Sequence, residues 1–180
     1  MAKNSETSLH LYDTLSAALK PFVARPSGEV GVYCCGPTVY DVAHVGHARA
    51  ALLPDILVRH LRASGFRTKY VRNITDVDDK ILKRSAERSI TPLELSSEMA
   101  KLYQADMFAL GCAPPDVEPR VSGTIAEIIE ITEKLIANGA AYVVEVEGGK
   151  KDVYFAVRAF PTYGKLSNRK IEEMRVGARI

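Results

Sequence analysis

Between Cys35 and His47 the chain reads CGPTVYDVAHVGH, which brings a thiol, a glycine-bearing loop and two histidines into one short stretch. A thiol in such a place serves as a metal ligand or, once buried, as a small apolar side chain. Two histidines in the first turn of a helix sit where backbone N–H groups lack partners and the helix dipole is positive, a position suited to anions. Imidazoles added there can hydrogen-bond phosphate oxygens. His44 and His47 would then stabilise charge that develops during an in-line displacement at phosphorus, and Gly46 would leave room for a nucleotide to approach the backbone. The competing reading is that two of four histidines fall beside a helix start and are ordinary solvated side chains. The string H-x-G-H alone leaves both open.

The elements that would position these residues can be read on either side. Glu29 to Cys35 (EVGVYCC) is short, rich in valine, and preceded by Pro26-Ser27-Gly28, which predicts a buried strand. From His44 to Ser64 apolar residues recur at helical spacing and stop before Gly65, which predicts a helix. Pro54 lies inside it and should kink it or break it in two. Phe66 to Ile74 predicts a second strand, and Thr75 to Asp79 the start of another helix, with Thr75 as a good N-cap and Asp76, Asp78 and Asp79 as caps and dipole partners rather than a metal cluster. Strand, helix, strand, helix implies a parallel βαβ unit, with nucleotides bound at the carboxyl ends of its strands.

Further along, Thr91-Pro92-Leu93-Glu94 starts a helix that should run to about Leu110 and end at Gly111. Ala113 to Asp116 reads as an extended linker, and Ser122 to Asn138 as an amphipathic helix closed by Gly139. Ala141–Val146 and Asp152–Val157, joined by EGGKK, predict a hairpin. A polar turn (PTYGKLSNR) and a short helix to about Met174 follow. The expected fold class is α/β, a Rossmann-like parallel sheet in residues 1–120, followed in 121–180 by a helix, a β-hairpin and the start of an inserted α+β connective region.

CGPTVYD at Cys35–Asp41, HVGH at His44–His47, YVRNITDVDDKI at Tyr70–Ile81, and TYGKLS and GAR near the end resemble the cysteinyl-tRNA synthetases specifically, HVGH being their form of the HIGH signature of class I aminoacyl-tRNA synthetases. The resemblance covers nearly the whole chain. It implies ATP-dependent activation of L-cysteine to cysteinyl-adenylate and transfer to tRNA(Cys), with ATP used as its magnesium complex, in a cytoplasmic enzyme that is a monomer when complete. It also implies that His44, Gly46 and His47 bind ATP, that Gly36, Thr38 and Thr75 line the cysteine pocket, and that Cys35 is one ligand of a zinc ion that takes the substrate thiolate. Such a metal would separate cysteine from serine better than packing, which is worth only roughly 1–3 kcal/mol between near-isosteres. For Cys34 and Cys112 the reading is structural.

The other zinc ligands of that family (a second cysteine, a histidine and a glutamate), its KMSKS-type lysine loop and its anticodon-reading domain are expected downstream of Ile180. The 180 residues therefore read as part of the enzyme that should not aminoacylate alone and whose sheet edge lies partly open, favouring marginal stability or self-association. Two alternatives remain: a ligase that transfers activated cysteine to an amino sugar in thiol biosynthesis, and a non-catalytic fragment that binds nucleotide or a partner. Composition is that of a soluble globular protein, with 47% hydrophobic and 26% charged residues. A net charge of +2, from 24 basic and 22 acidic residues, does not by itself make a polyanion-binding surface. There is no apolar run long enough for a membrane span and no secretory leader pattern, and three cysteines without framework spacing suit reduced thiols.

Overall fold

The computed structural model describes residues 9–169 and 171. They fall into two compact units, one of residues 23–125 and one of residues 9–22 with the described part of 126–180.

In the first unit, β3 (Glu29–Cys34) and β4 (Arg67–Arg72) pair in parallel, Glu29 opposite Arg67 and Cys34 opposite Arg72. The helix α1 (Val45–Ala63) is the crossover between them and packs on both strands. Pro54 neither ends nor divides it: α1 is one continuous helix, and the proline, buried with Ala51, Asp55, Val58 and Leu61, lies on its inward face. Leu53 and Ile56, which share the predicted periodicity, are exposed instead. The crossover ends at Ser64, followed by Gly65 in the left-handed conformation (φ 86°).

β4 is paired on its other side too. Residues 116–121 run parallel to it: Arg72 N–H donates to Val117 O, Ile74 N–H to Pro119 O, and Val121 N–H to Ile74 O, at 2.8–3.3 Å. The stretch expected to begin as a linker thus forms a third parallel line of the sheet, with β4 central. Asp116 anchors its start, accepting from Tyr70 N–H (2.6 Å) and Arg62 (2.7 Å); the Tyr70 backbone bond holds its carboxyl below the usual range, burial opposes this, and the Arg62 charge adds to it. Asp76 anchors its end, accepting from Ser122 N–H (2.9 Å) and Oγ (2.6 Å).

The helix α2 (Asp79–Glu87) is capped by Asp78, whose carboxylate accepts from Lys80 N–H. The alternative role of Thr75 as a helix cap is therefore corrected, and Asp76 is a buried anchor rather than a dipole partner; only Asp78 and Asp79 fill the expected terminal roles. The helix α3 (Pro92–Ala109) starts on a reciprocal Thr91–Glu94 capping box with Pro92 in its first turn. It packs on α2 over a core of Val39, Ile74, Ile81, Leu95, Met99 and Ala100. A second cluster, Ala51, Tyr103, Met107 and Cys112, joins α3 to α1. Cys112 is buried there as a structural residue, its thiol pKa raised chiefly by that burial.

In the second unit, β1 (His10–Asp13) and β2 (Ala18–Pro21) form a hairpin the sequence did not announce, closed by Asp13 accepting from Ser16 and Lys20. Residues 121–124 form a turn of 3₁₀ helix before α4 (Ile125–Ala137), so the helix expected from Ser122 is α-helical only from Ile125. β5 (Ala141–Val146) and β6 (Lys150–Phe155) pair antiparallel, Val146 opposite Lys150. The second strand begins two residues earlier than predicted because Gly148 (φ 84°) and Gly149 (φ 73°) complete the reversal inside a loop of residues 147–149. The short helix expected to about Met174 lies largely outside the described residues. Among the described residues no helix is long and apolar enough to cross a membrane.

Candidate functional site

The loop after β3 leads to His44, the N-cap of α1, whose backbone is extended (φ −129°, ψ 174°). Its Nδ1 accepts from Gly46 N–H at 3.0 Å, while His47 Nδ1 accepts from His44 N–H at 3.1 Å. The two histidines are thus a capping box made of imidazoles, with ring centroids 4.1 Å apart. A backbone N–H can only donate, so each Nδ1 must be unprotonated and each ring proton must sit on Nε2. This revises the expected anion site. The amides of His44 and Gly46 are already taken, and the donors offered to a ligand are the two Nε2–H groups. No acid occupies the first turn of α1 to compete with an anion there. Burial, then the neighbouring His44, lowers the His47 pKa and so favours the neutral ring.

Gly46 has a nearer reason to be glycine than the approach of a nucleotide. A Cβ at that position would stand 2.8 Å from His44 Cε1 and 3.0 Å from Nδ1, against the ring that caps the Gly46 N–H. Gly36 is more tightly constrained, since a Cβ there would fall 1.5 Å from Asn73 O. The chain leaving β3 crosses the end of β4 at this point. Gly36 N–H donates to Asn73 Oδ1 (2.9 Å), Tyr33 Oη to the same oxygen (3.1 Å), and Asn73 Nδ2 to Thr75 Oγ1 (3.2 Å). Beyond the crossing the parallel pairing resumes: Thr75 N–H donates to Pro37 O (3.0 Å) and Val39 N–H to Thr75 O (3.1 Å), with Thr38 opposite Thr75.

A cavity of about 250 Å³ is lined by Thr38, Tyr40, Asp41, Val42, Ala43, His44 and His47. It brings together three of the predicted site residues, Thr38 and the two histidines; backbone pairing ties Thr75 to its wall, and the Asn73 side chain links Gly36 to Thr75. Two cations of α2 stand over that wall, Lys80 Nζ 5.3 Å from the Tyr40 ring centre and Arg84 paired with Asp41 at 3.3 Å. Cys35 lies one residue past β3, exposed, and is not part of this lining. Its neighbour Cys34 is half-buried, with its thiol pKa pushed up by that burial and then by the nearby Cys35. Among the described residues no group of three or more histidine, cysteine or acidic side chains could hold a metal ion.

Behind the histidines lies a second layer. Tyr103 of α3 meets His47 edge-on, with ring centroids 6.3 Å apart and planes at 77°. The guanidinium of Arg72 lies 5.2 Å from the Tyr103 ring centre and pairs with Glu118 at 3.0 Å.

The profile of the family described as "tRNA synthetases class I (C) catalytic domain" matches residues 21–180. The chain belongs to that family. It is 48% identical over 173 residues to a cysteine-tRNA ligase of Anaeromyxobacter sp. (strain K) and 45% identical over 174 residues to one of Dichelobacter nodosus. Those matches cover 96% and 97% of this chain but only 35% and 37% of the relatives, so it spans about a third of their length. Among solved structures, Mycobacterium tuberculosis methionyl-tRNA synthetase in complex with methionyl-adenylate matches 73% of this chain and 33% of its own, with a TM-score of 0.64 at 15% identity. At that identity the likeness bears on fold alone, and it agrees with the Rossmann-like class I architecture.

Around this cavity, the residues that the sequence reading did not single out are Asn73, Tyr40, Asp41, Arg72 and Tyr103. Asn73 had a signal: an asparagine among β-branched and aromatic residues at a strand end is placed for side-chain bonds to backbone. Arg72 had a weaker one, a charge at a position the pleat turns inward. Tyr103 looked like one more apolar residue of α3.

Proposed function

We propose that this chain forms the nucleotide- and amino-acid-binding part of a cysteine-tRNA ligase. The reading is supported above all by the reciprocal His44–His47 cap, which holds two neutral imidazoles with their Nε2–H groups available at the positive end of α1. ATP would place its phosphates against those donors, and the carboxylate of L-cysteine would attack the α-phosphorus. The α-phosphate bond to the pyrophosphate leaving group breaks as the acyl bond forms, giving cysteinyl-adenylate. The extra charge on the phosphoryl oxygens is met by donors already in place, which is where preorganised electrostatics acts most strongly. Transfer to the terminal ribose hydroxyl of tRNA(Cys) would then release AMP.

In this reading Gly36, Thr38 and Thr75 border the amino-acid pocket, where Asn73 fixes their relative positions. Cys35 would supply one thiolate to a zinc ion whose chemistry would favour the substrate thiol. The described residues do not complete such a site, since zinc needs three or four protein ligands. Magnesium accompanies ATP as part of the substrate. A cytoplasmic setting and a monomeric complete enzyme go with the same reading.

Calorimetric titration of the chain with a non-hydrolysable cysteinyl-adenylate analogue tests the proposal. Saturable binding that His44→Ala and His47→Ala each weaken is expected. Absence of binding by a folded chain, or binding indifferent to both histidines, refutes it.

A further inference from the structure

Arg72 is buried in the interior of the sheet unit, 4% exposed, and this calls for explanation. It pairs with Glu118, which also accepts from Gln104 of α3, yet its Nε is buried with no hydrogen-bond partner, as is Tyr70 Oη on the same strand. Burial opposes the Arg72 charge, but the bond to Glu118 and the nearby Tyr103 and Tyr70 outweigh it and its pKa is raised, so it stays a cation. A buried ion pair of this kind is weak evidence for stability, because well-packed apolar residues of similar volume do as well or better. What the cation does touch is the Tyr103 ring, at 5.2 Å, in cation–π geometry. Tyr103 is itself 5% exposed, and its ring meets the His47 imidazole at 77°.

Three elements therefore converge on one tyrosine: β4 through Arg72, the 116–121 segment through Glu118, and α3 through Tyr103 itself. That tyrosine backs one of the two imidazoles. The capping bond from His44 N–H sets the tautomer of the His47 ring and, with the covalent link at Cγ, its direction, but only while the ring stays seated against that amide. An edge-on aromatic neighbour held from behind keeps it seated there, edge-to-face contact being one of the arrangements aromatic pairs favour over a face-to-face sandwich.

We propose that Arg72 is a positioning residue for His47, acting through Tyr103 to keep the imidazole seated on the His44 N–H, the bond that holds it as the Nε2–H tautomer. The proposal deepens the nucleotide-binding reading of the same site and rests on it for the role of His47, though not for the geometry. Arg72→Lys keeps the charge but loses the planar fork that reaches both Glu118 and the ring. Glu118→Gln loosens Arg72 more gently, Tyr103→Leu removes the ring, and Tyr103→Phe keeps it.

The test reads the ¹⁵N resonances of the His47 ring nitrogens, well below the melting temperature of each protein, and the Kd for ATP. In Arg72→Lys and in Tyr103→Leu the single Nε2–H signature should give way to a mixture, with ATP binding weakened at least about threefold, the coupling expected of residues in contact. The double variant should be no worse than the poorer single one, and Tyr103→Phe should match the parent. An unchanged His47 spectrum in these variants, or effects that simply add, overturns the proposal. Should Arg72→Lys fail to fold, Glu118→Gln decides it by the same spectrum. Should the parent chain bind no ATP, the functional reading falls, while the ring signature still decides whether Arg72 positions His47.

Discussion

Replacing Gly46 by alanine sets two effects of known size against each other. Gly46 is the second residue of α1, and alanine inside a helix gains about 1 kcal/mol over glycine. Here, however, the new Cβ would lie 2.8 Å from His44 Cε1 and 3.0 Å from Nδ1, closer than side-chain carbons approach. The imidazole must rotate away and release Gly46 N–H, and losing an N-cap costs about 0.5–2 kcal/mol. The two nearly cancel, so urea denaturation should show a stability change within about 1 kcal/mol of zero. Nucleotide binding has no such compensation. A hydrogen bond to a charged group is worth about 1.5–3 kcal/mol, so displacing the His44 Nε2–H should raise the Kd for ATP roughly 10- to 150-fold by calorimetry. A Gly46→Ala protein that gains the full helix-propensity increment and binds ATP as the parent does would show that His44 is not locked by this cap.

The remaining predictions concern the frame around the site. Gly36→Ala should prevent folding or lower stability by about 3 kcal/mol or more, since its Cβ meets the Asn73 carbonyl and the backbone cannot yield, as the thermal transition would show. Gly31→Ala, on the same strand with nothing within 4 Å, should change stability by less than about 1 kcal/mol and serves as the control. Asp55→Ala should destabilise by about 1–3 kcal/mol in urea, because the buried carboxylate accepts from Ala113 N–H (2.9 Å) and Arg59 (2.7 Å) and joins α1 to the 111–113 loop. The lowered His47 pKa means that below the ordinary value of 6.5 the unfolded chain binds the proton more readily than the folded one. The stability linked to His47 is therefore complete above pH 6.5 and declines as pH falls beneath it; His47→Asn, which keeps an acceptor for His44 N–H, should flatten that part of the curve.

The elements of this protein are written locally. Thr91 with Glu94, Gly65 after α1 and Gly148-Gly149 in the last hairpin each determine a start or stop from residues within four positions, and the helical and alternating patterns between them do the rest. The same locality made the histidine pair readable, because an N-cap and its third residue belong to one turn; what the residue types could not say is that the rings would consume the amides and offer Nε2–H instead. Other features were decided only by tertiary structure. Asn73 reaches Gly36 across 37 positions, Asp76 reaches Ser122 across 46, Arg72 reaches Glu118 across 46, and Asp55 reaches Ala113 across 58. A proline-rich stretch becomes a line of the sheet because β4 presents it with unpaired N–H and carbonyl groups, and Pro119, which has no N–H, is placed where only its carbonyl is needed. Such partners are chosen by which backbone groups a neighbouring strand leaves unsatisfied after packing, and no short-range pattern of residue types carries that information.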